Sequence, residues 1–148
     1  MARTLSGKHV SQVLYDRLHR LHRSHQDHGV SSGSRPKLVC VNVGHDPASK
    51  VYLEHKRKQC EKLNIDCDVL HVEETTNEEL TELIHRINTD PTIHACIIQL
   101  PLPPGIDPKI VDLVDYRKDV DGFTKHNLGC LTFGDPCIVS ATPLGIVK

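Results

Sequence analysis

The sequence predicts an α/β domain of three layers, in which helices cover both faces of a small, mostly parallel sheet. After a first helical segment, strand-like and helix-like patterns alternate along the chain, as they do in proteins with parallel sheets. Residues 38–43, LVCVNV, are a short apolar run that is typical of a strand buried on both faces. The 148 residues, of which 38% are hydrophobic and 25% charged, suit one compact domain.

The first elements follow from periodicity and turn residues. Residues 6–25 carry apolar side chains three or four positions apart, which predicts an amphipathic helix: Val10, Val13, Leu14, Leu18 and Leu21. The glycine, serine and proline content of residues 29–36 indicates a loop. After the strand, Asp46 and Pro47 supply an N-cap and a first-turn proline for a helix over 48–63, which Asn64 ends.

The remaining elements repeat this alternation. Residues 65–72 alternate in polarity and predict a second strand, nearer an edge of the sheet. Thr76 and Glu79 have the spacing of a capping box before a third helix, whose buried face would contain Leu80, Leu83, Ile84 and Ile87. Residues 94–100 predict a third strand. Four shorter elements should follow: a helix opening at Asp107 and Pro108, a turn over 119–123, a helical turn over 127–133 and the start of a helix at 141–148.

Composition and charge exclude several classes of protein. Lys and Arg number 18 against 19 Asp and Glu, and a net charge of -1 argues against a basic protein that binds nucleic acid. The chain has neither an apolar run of about 18 residues nor an apolar start, so we expect no membrane span and no secretory signal. These features favour a location in the cytoplasm, with mitochondria as the alternative.

Cysteine and histidine content suggests no metal site. The six cysteines form no CxxC pair and are expected to be buried free thiols. A run of histidines recurs every three residues at His19, His22, His25 and His28. Nothing near them completes a tetrahedral zinc set, so a solvated helix face is the preferred interpretation. Metal binding by this segment remains the least favoured alternative function.

Three polar residues should share one face of the helix that follows the first strand. Open α/β sheets bind ligands beyond the carboxyl ends of their strands, and Ser49, Tyr52 and Lys56 have helical spacing there. A tyrosine ring beside a lysine can stack on a planar ligand while the amine transfers a proton. The pattern also fits an exposed lysine and a tyrosine packed on the sheet edge.

Two further residues at loop positions are candidates. Gln99 ends an apolar strand, where a buried amide needs a partner and could orient Lys56 or bind a ligand. Asp121 lies in a turn, where its carboxylate could accept two hydrogen bonds from an amino-heterocycle or stabilise its own loop as an Asx turn. The sequence contains neither GxGxxG nor GxxxxGK[ST], so we expect no cradle for a pyrophosphate or triphosphate.

Four motifs appear in the order and spacing of one family: VGHDPASKVYLEHK at 43–56, IQLPLP at 98–103, KDVDGF at 118–123 with Asn127 and Gly129, and TPLGI at 142–146. From Leu38 onward the sequence closely resembles the methylenetetrahydrofolate dehydrogenase/cyclohydrolase family. The resemblance implies an enzyme of one-carbon metabolism that oxidises 5,10-methylenetetrahydrofolate with NADP or NAD. The methenyl product would then be hydrolysed to 10-formyltetrahydrofolate.

The resemblance also assigns roles by motif position. Lys56 would be the catalytic lysine of the cyclohydrolase step, and Gln99 would tune it. Tyr52 would stack on the pterin and aminobenzoate region, and Asp121 would hold the amino edge of the pterin. The other residues implied to bind the folate are Ser49, Leu100 and Pro101.

The resemblance further implies how the chain is organised. Residues 1–139 would form the folate-side catalytic domain, and residues 140–148 would begin a linker helix. Family members continue into a Rossmann domain that these 148 residues lack. We therefore expect no NAD(P) to bind this chain alone, although full-length family members use it and are typically homodimers. The alternative is a catalytically incomplete module that binds folate or a partner.

Overall fold

The computed structural model describes residues 7–27 and 35–147. The chain divides into two units, one ending at Arg35 and the other spanning Pro36–Val147. The first unit contains helix α1, Gly7–Asp27, which confirms the helix predicted over 6–25. Most of the loop predicted over 29–36 lies outside the described residues, as do the side chains of three of the four regularly spaced histidines, His22, His25 and His28.

The second unit is built on a parallel sheet of three strands: β1, Lys37–Val43; β2, Asp66–Val72; and β3, Ala95–Gln99. The strand order is β2-β1-β3, so β1 is central although it comes first in the chain. Its residues are buried from Leu38 to Val43, as the apolar run predicts. β2 lies at an edge and is largely exposed, which confirms its predicted position.

Helices cover the two faces of this sheet. Helix α3, Asn77–Thr89, packs on one face, and helix α2, Pro47–Lys62, packs on the other. Alternate residues of β1 point to opposite faces, so the core has two parts. The part under α3 includes Val39, Val41, Val43, Leu80, Ile84 and Ile87. The part under α2 includes Leu38, Cys40, Leu53, Cys60 and Ile97. The predicted three-layer α/β/α arrangement is confirmed.

The predicted helix starts are also observed. The Asp46 carboxylate accepts a hydrogen bond from the Ser49 amide at 2.7 Å, with Pro47 in the first turn of α2. Thr76 and Glu79 form both bonds of the capping box of α3. Asn64 adopts a positive φ of 58° just after α2, which ends the helix.

Shorter elements follow β3 across the cis peptide Leu100-Pro101. The helix predicted at Asp107 and Pro108 is a 3-10 helix, Pro108–Leu113, capped by the Asp107 side chain. Helix α4, Lys125–Phe133, begins two residues earlier than predicted because Thr124 caps it. Helix α5 spans Ala141–Val147, where the sequence predicts a helix start. No helix in the described part of the chain is long and apolar enough to cross a membrane.

All six cysteines are free thiols, as expected, but only Cys40, Cys60 and Cys96 are buried. Burial raises the pKa of Cys60 to about 11 and that of Cys96 to about 12. The expectation of burial is wrong for Cys67, which lies on edge strand β2, and for Cys130 and Cys137, which follow the sheet; all three are partly exposed.

Candidate functional site

The site is built at the carboxyl ends of the three strands, on the face of the sheet covered by α2. In the parallel register Asn42 of β1 pairs with His71 of β2 and with Gln99 of β3. Paired residues point to the same face, so three polar side chains cross the sheet in one row. Asn42 is 5% exposed and Gln99 9%, and such buried amides need hydrogen-bond partners.

Gln99 obtains its partners from α2 and from its own loop. Its Oε1 accepts a hydrogen bond from Lys56 Nζ at 3.1 Å. Its Nε2 donates to the Leu100 carbonyl at 2.8 Å, which fixes the orientation of the amide. The structure thus joins the half-buried Lys56 to the residue that the sequence analysis considered as its orienting partner.

Ser49 fastens the first turn of α2 to the same loop. It is 1% exposed, and its Oγ donates to the Leu100 carbonyl at 3.4 Å, the oxygen that also accepts from Gln99. The Ser49 side chain therefore sets the distance between α2 and the end of β3. Leu100 itself is 42% exposed and Pro101 is exposed, so both offer apolar surface directly after Gln99 in the chain.

Tyr52 lies one helical turn before Lys56 on α2, and its side chain is 64% exposed. The phenol ring is accessible to a ligand from solvent. This placement differs from the alternative in which the tyrosine packs on the sheet edge, because such packing would bury most of the ring. Tyr52 and Lys56 thus present an aromatic face and an amine on the same side of the helix.

Asp121 lies in the turn after β3 and is half-buried. Burial raises the pKa of its carboxyl group; the positive charge of Lys56 acts in the opposite direction, and the negative charge of Asp119 adds to the effect of burial. Asp121 and Lys56 are thus close enough for their charges to interact. A carboxyl group and an amine at one opening can together hold and protonate a polar heterocycle.

The carboxylate that stabilises this turn is that of Asp119, which the sequence analysis did not single out. Asp119 is 4% exposed and accepts hydrogen bonds from the Thr124 amide at 2.8 Å and from Asn127 Nδ2 at 3.0 Å. Burial acts to raise the pKa of Asp119, but these hydrogen bonds hold it below its ordinary value. Asn127 Oδ1 in turn accepts from the Ile138 amide at 3.3 Å. The loop-stabilising role considered for Asp121 is thus played by Asp119, two residues earlier, through hydrogen bonds to residues further along the chain.

Gly122 follows Asp121 and allows a close approach of two backbone segments. Its φ is +67°, and a Cβ atom there would lie 2.6 Å from the Ile138 carbonyl oxygen and 2.9 Å from the Ser140 amide nitrogen. Only glycine fits this position without displacing the chain. The conformation of the Asp121 turn therefore depends on the segment that leads into α5.

The first turns of α2 and α3, which follow β1 and β2 along the chain, are not suited to hold the phosphates of a dinucleotide. Such cofactors bind where backbone amides at a helix N-terminus are free to meet a phosphate. Here the Asp46 carboxylate occupies the N-terminus of α2, and Thr76 with Glu79 occupies that of α3. Negative charge at both positions would repel a pyrophosphate.

A group of residues suited to a metal ion lies at the β2 end of the row of polar side chains, opposite Gln99. Ligand atoms of His45, His71 and Glu73 lie within 4.8 Å of one another. The sequence analysis considered only the histidines of the first helix and missed this group. The feature that reveals this group is the parallel register of β1 and β2, which places the residues after β1 beside those that end β2.

Comparison with known proteins identifies the family. The model of the tetrahydrofolate dehydrogenase/cyclohydrolase catalytic domain matches residues 5–121. The bifunctional protein FolD of Porphyromonas gingivalis is 43% identical over 148 residues, which are 99% of this chain and 49% of that protein. FolD of Moorella thermoacetica is 44% identical over 117 residues, which are 78% of this chain and 42% of the relative.

Solved structures agree with the sequence matches. The 5,10-methylenetetrahydrofolate dehydrogenase of the silkworm, Bombyx mori, superposes with a TM-score of 0.90 at 33% identity, over 99% of this chain and 50% of that one. The bifunctional enzyme FolD of Campylobacter jejuni gives a TM-score of 0.87 at 34% identity, over 96% and 50%. The chain thus spans about half the length of the relatives it matches. It belongs to the tetrahydrofolate dehydrogenase/cyclohydrolase family, and its described fold is that of the catalytic domain.

Proposed function

We propose that this chain supplies the folate-binding and proton-transferring half of a methylenetetrahydrofolate dehydrogenase/cyclohydrolase. The observation that carries the proposal is the 3.1 Å hydrogen bond between Lys56 Nζ and Gln99 Oε1, close to the half-buried Asp121 carboxyl group, whose charge interacts with that of Lys56. The family match and the names of its relatives supply the substrate class, a reduced folate carrying a one-carbon unit.

Each side chain has a chemical role in this proposal. The Asp121 carboxyl group accepts hydrogen bonds from the amino edge of the pterin, and the exposed Tyr52 ring stacks on the planar part of the ligand. Leu100 and Pro101 add apolar contact, while Ser49 holds the wall of the cleft in place. A ligand of this shape spans the opening between α2 and the loop after β3.

Lys56 moves the proton in the hydrolytic step. Water adds to the methenyl carbon and forms a carbon–oxygen bond, and its proton passes to the Lys56 amine in the neutral form. The bond from that carbon to one folate nitrogen then breaks, and this nitrogen takes the electron pair of the bond and the proton held by Lys56. The hydroxyl group on the carbon loses its proton to solvent, which leaves a formyl group on the other nitrogen. Gln99 is neutral, so it orients the amine without adding a negative charge that would favour the ammonium form.

The oxidation needs a nicotinamide cofactor as hydride acceptor. The capped first turns of α2 and α3 do not fit the phosphates of such a group, so no step through it is assigned to this chain. One solved relative, the dehydrogenase-cyclohydrolase of Trypanosoma brucei, is described as complexed with NADP and an inhibitor. We propose that this chain's part in the oxidation is to hold the folate carbon in position.

The test compares two lysines of the same helix. Lys56→Met should lower the rate of hydrolysis of 5,10-methenyltetrahydrofolate by at least about 100-fold, the lower end of general-base contributions. Lys58→Met removes an exposed lysine paired with Glu54 at 3.5 Å and should leave the rate within about twofold. Hydrolysis unchanged by Lys56→Met would contradict the catalytic role.

The alternative of a catalytically incomplete module is tested by binding. Calorimetric titration of the wild-type chain with a folate analogue should show binding that Asp121→Asn weakens. Titration with NADP should show no binding. A chain that binds folate but does not accelerate hydrolysis would support the incomplete module, whereas tight NADP binding would contradict the absence of a dinucleotide cradle.

A further inference from the structure

A second ligand site is suggested by three exposed side chains on the α2 face, beyond the edge of the proposed folate cleft. His71 ends the row that also contains Asn42 and Gln99, with β1 separating it from Gln99. His45 follows β1, and Glu73 follows β2. These residues take no part in the folate chemistry proposed above.

The parallel register brings the three residues together. Asn42 pairs with His71 and Val43 with Val72, and the Gly44 amide then donates to the Val72 carbonyl at 2.9 Å. This extra bond continues the pairing beyond the strands. Glu73 comes directly after the last residue of β2, two positions from His71, and the positive φ of Gly44, 78°, turns the chain after β1 so that His45 approaches them.

The ligand atoms are close enough for one ion. Two imidazole nitrogens and a carboxylate oxygen lie within 4.8 Å of one another. Ligands about 2.0–2.1 Å from a tetrahedral ion lie about 3.4 Å apart, so these atoms must approach by at most about 1.4 Å. All three side chains are exposed and can make this movement by rotation. The two rings already lie with centroids 5.4 Å apart.

A buried residue supports one of the ligands. Asn42 Nδ2 lies 2.9 Å from His71 Nδ1 and holds the orientation of the ring. An amide can serve this nitrogen by donating through Nδ2 or, after a half-turn, by accepting through Oδ1. In the second arrangement Nδ1 keeps its proton, so Nε2 carries the free lone pair that can bind the ion. Histidine ligands of metals commonly have their second ring nitrogen held in this way.

We propose that His45, His71 and Glu73 bind one Zn²⁺ ion, with water as the fourth ligand. Two histidines and one carboxylate are a ligand set of open zinc sites. Mg²⁺ and Ca²⁺ prefer oxygen ligands, so this set selects against them. The ion ties the loop before α2 to the end of β2, beside a groove of about 940 Å³ that provides room for the water.

The experiment is a calorimetric zinc titration of the chain, prepared without a histidine tag and freed of metal by a chelator. The background is a variant in which His19, His22, His25 and His28 are replaced by asparagine, so that this run of histidines contributes no imidazole. We expect one Zn²⁺ per chain in this background. Millimolar Mg²⁺ should not displace it.

Single substitutions in this background locate the ion. His45→Asn, His71→Asn and Glu73→Gln should each weaken zinc binding by more than about 100-fold. Replacing a residue that only supports a ligand weakens metal binding by up to about 100-fold, and replacing a ligand itself should weaken it further. The matched control is His55→Asn, an exposed histidine that lines the same groove and should leave the affinity unchanged. Circular dichroism of each variant should match that of the background, because the replaced side chains are exposed.

Absorption of the Co²⁺-substituted chain gives an independent result. The spectrum should show a four-coordinate ion, and His71→Asn should abolish it. Zinc binding that persists when His45 and His71 are both replaced would overturn the proposal. Absence of zinc binding by the folded background variant would also overturn it.

Discussion

Replacing Gly122 by alanine should destabilise the chain through two separable effects. An alanine at φ +67° costs about 1–2 kcal/mol for the left-handed conformation. Its Cβ would also lie 2.6 Å from the Ile138 carbonyl oxygen, and restoring ordinary contact requires a backbone shift of about 0.8 Å. Overpacking of this kind costs about 1–3 kcal/mol, so we expect a total loss of about 2–5 kcal/mol.

Gly134 provides the matched control for this prediction. Its φ is +79°, but a Cβ there would have nothing within 4 Å. Gly134→Ala should therefore lose only the conformational part, about 1–2 kcal/mol. The assay is urea denaturation of both variants and the wild type, with the free energy of unfolding extrapolated to water. Equal losses for the two variants, within about 0.5 kcal/mol, would refute the contact between the turn and the segment before α5.

The Gly122 substitution should also affect the candidate site. Moving Ile138 disturbs its amide's hydrogen bond to Asn127 Oδ1, and Asn127 also donates to Asp119. The turn that carries Asp121 then loses its support. We expect folate-analogue affinity to fall in Gly122→Ala and to stay unchanged in Gly134→Ala, as measured by the same calorimetric titration.

Two further predictions concern the core and the acid response. Ile84 is 1% exposed beneath the sheet, so Ile84→Ala should lower the free energy of unfolding by about 2–5 kcal/mol. The control is Val51→Ala at an exposed position of α2, which should change this free energy by less than about 0.5 kcal/mol. Both values are measured by urea denaturation. Hydrogen bonds from Arg117 lower the pKa of Asp115 from 3.8 to about 2, so its contribution to stability is present above pH 3.8 and is lost as pH falls toward 2. Between pH 4 and 2 the free energy of unfolding, measured by urea denaturation, should therefore fall less steeply in Asp115→Asn than in the wild type. An equally steep fall in the two proteins would contradict this prediction.

Patterns within one element were sufficient to predict most of the fold. The apolar run of β1 indicates burial on both faces, and Asp46 with Pro47 marks the start of α2 because capping depends on neighbouring residues. The exact form of the segment after β3 was less predictable. Its 3-10 geometry depends on packing against α3, which local sequence does not encode.

The candidate site was predictable only in part. The position of Lys56 on a helix, one turn after another candidate residue, could be predicted from the spacing of residues in the sequence. The burial of Asp119 could not, because it depends on a bridge to Cys96 that joins distant positions of the chain. The group at His45, His71 and Glu73 likewise requires the register between two strands. Such relations arise from the pairing of separate segments, and a single sequence without its fold does not display them.

The central position of β1 has a consequence for synthesis on the ribosome. Its partner on one side, β3, is made much later, since Ala95 pairs with Leu38 from 57 positions further along the chain. At about 5–20 residues per second, that edge of β1 stays unpaired for about 3–11 s. An apolar strand with an open edge is a template for pairing with other chains. We therefore expect aggregation of nascent chains to begin at residues 38–43, before the strand becomes the best protected part of the fold.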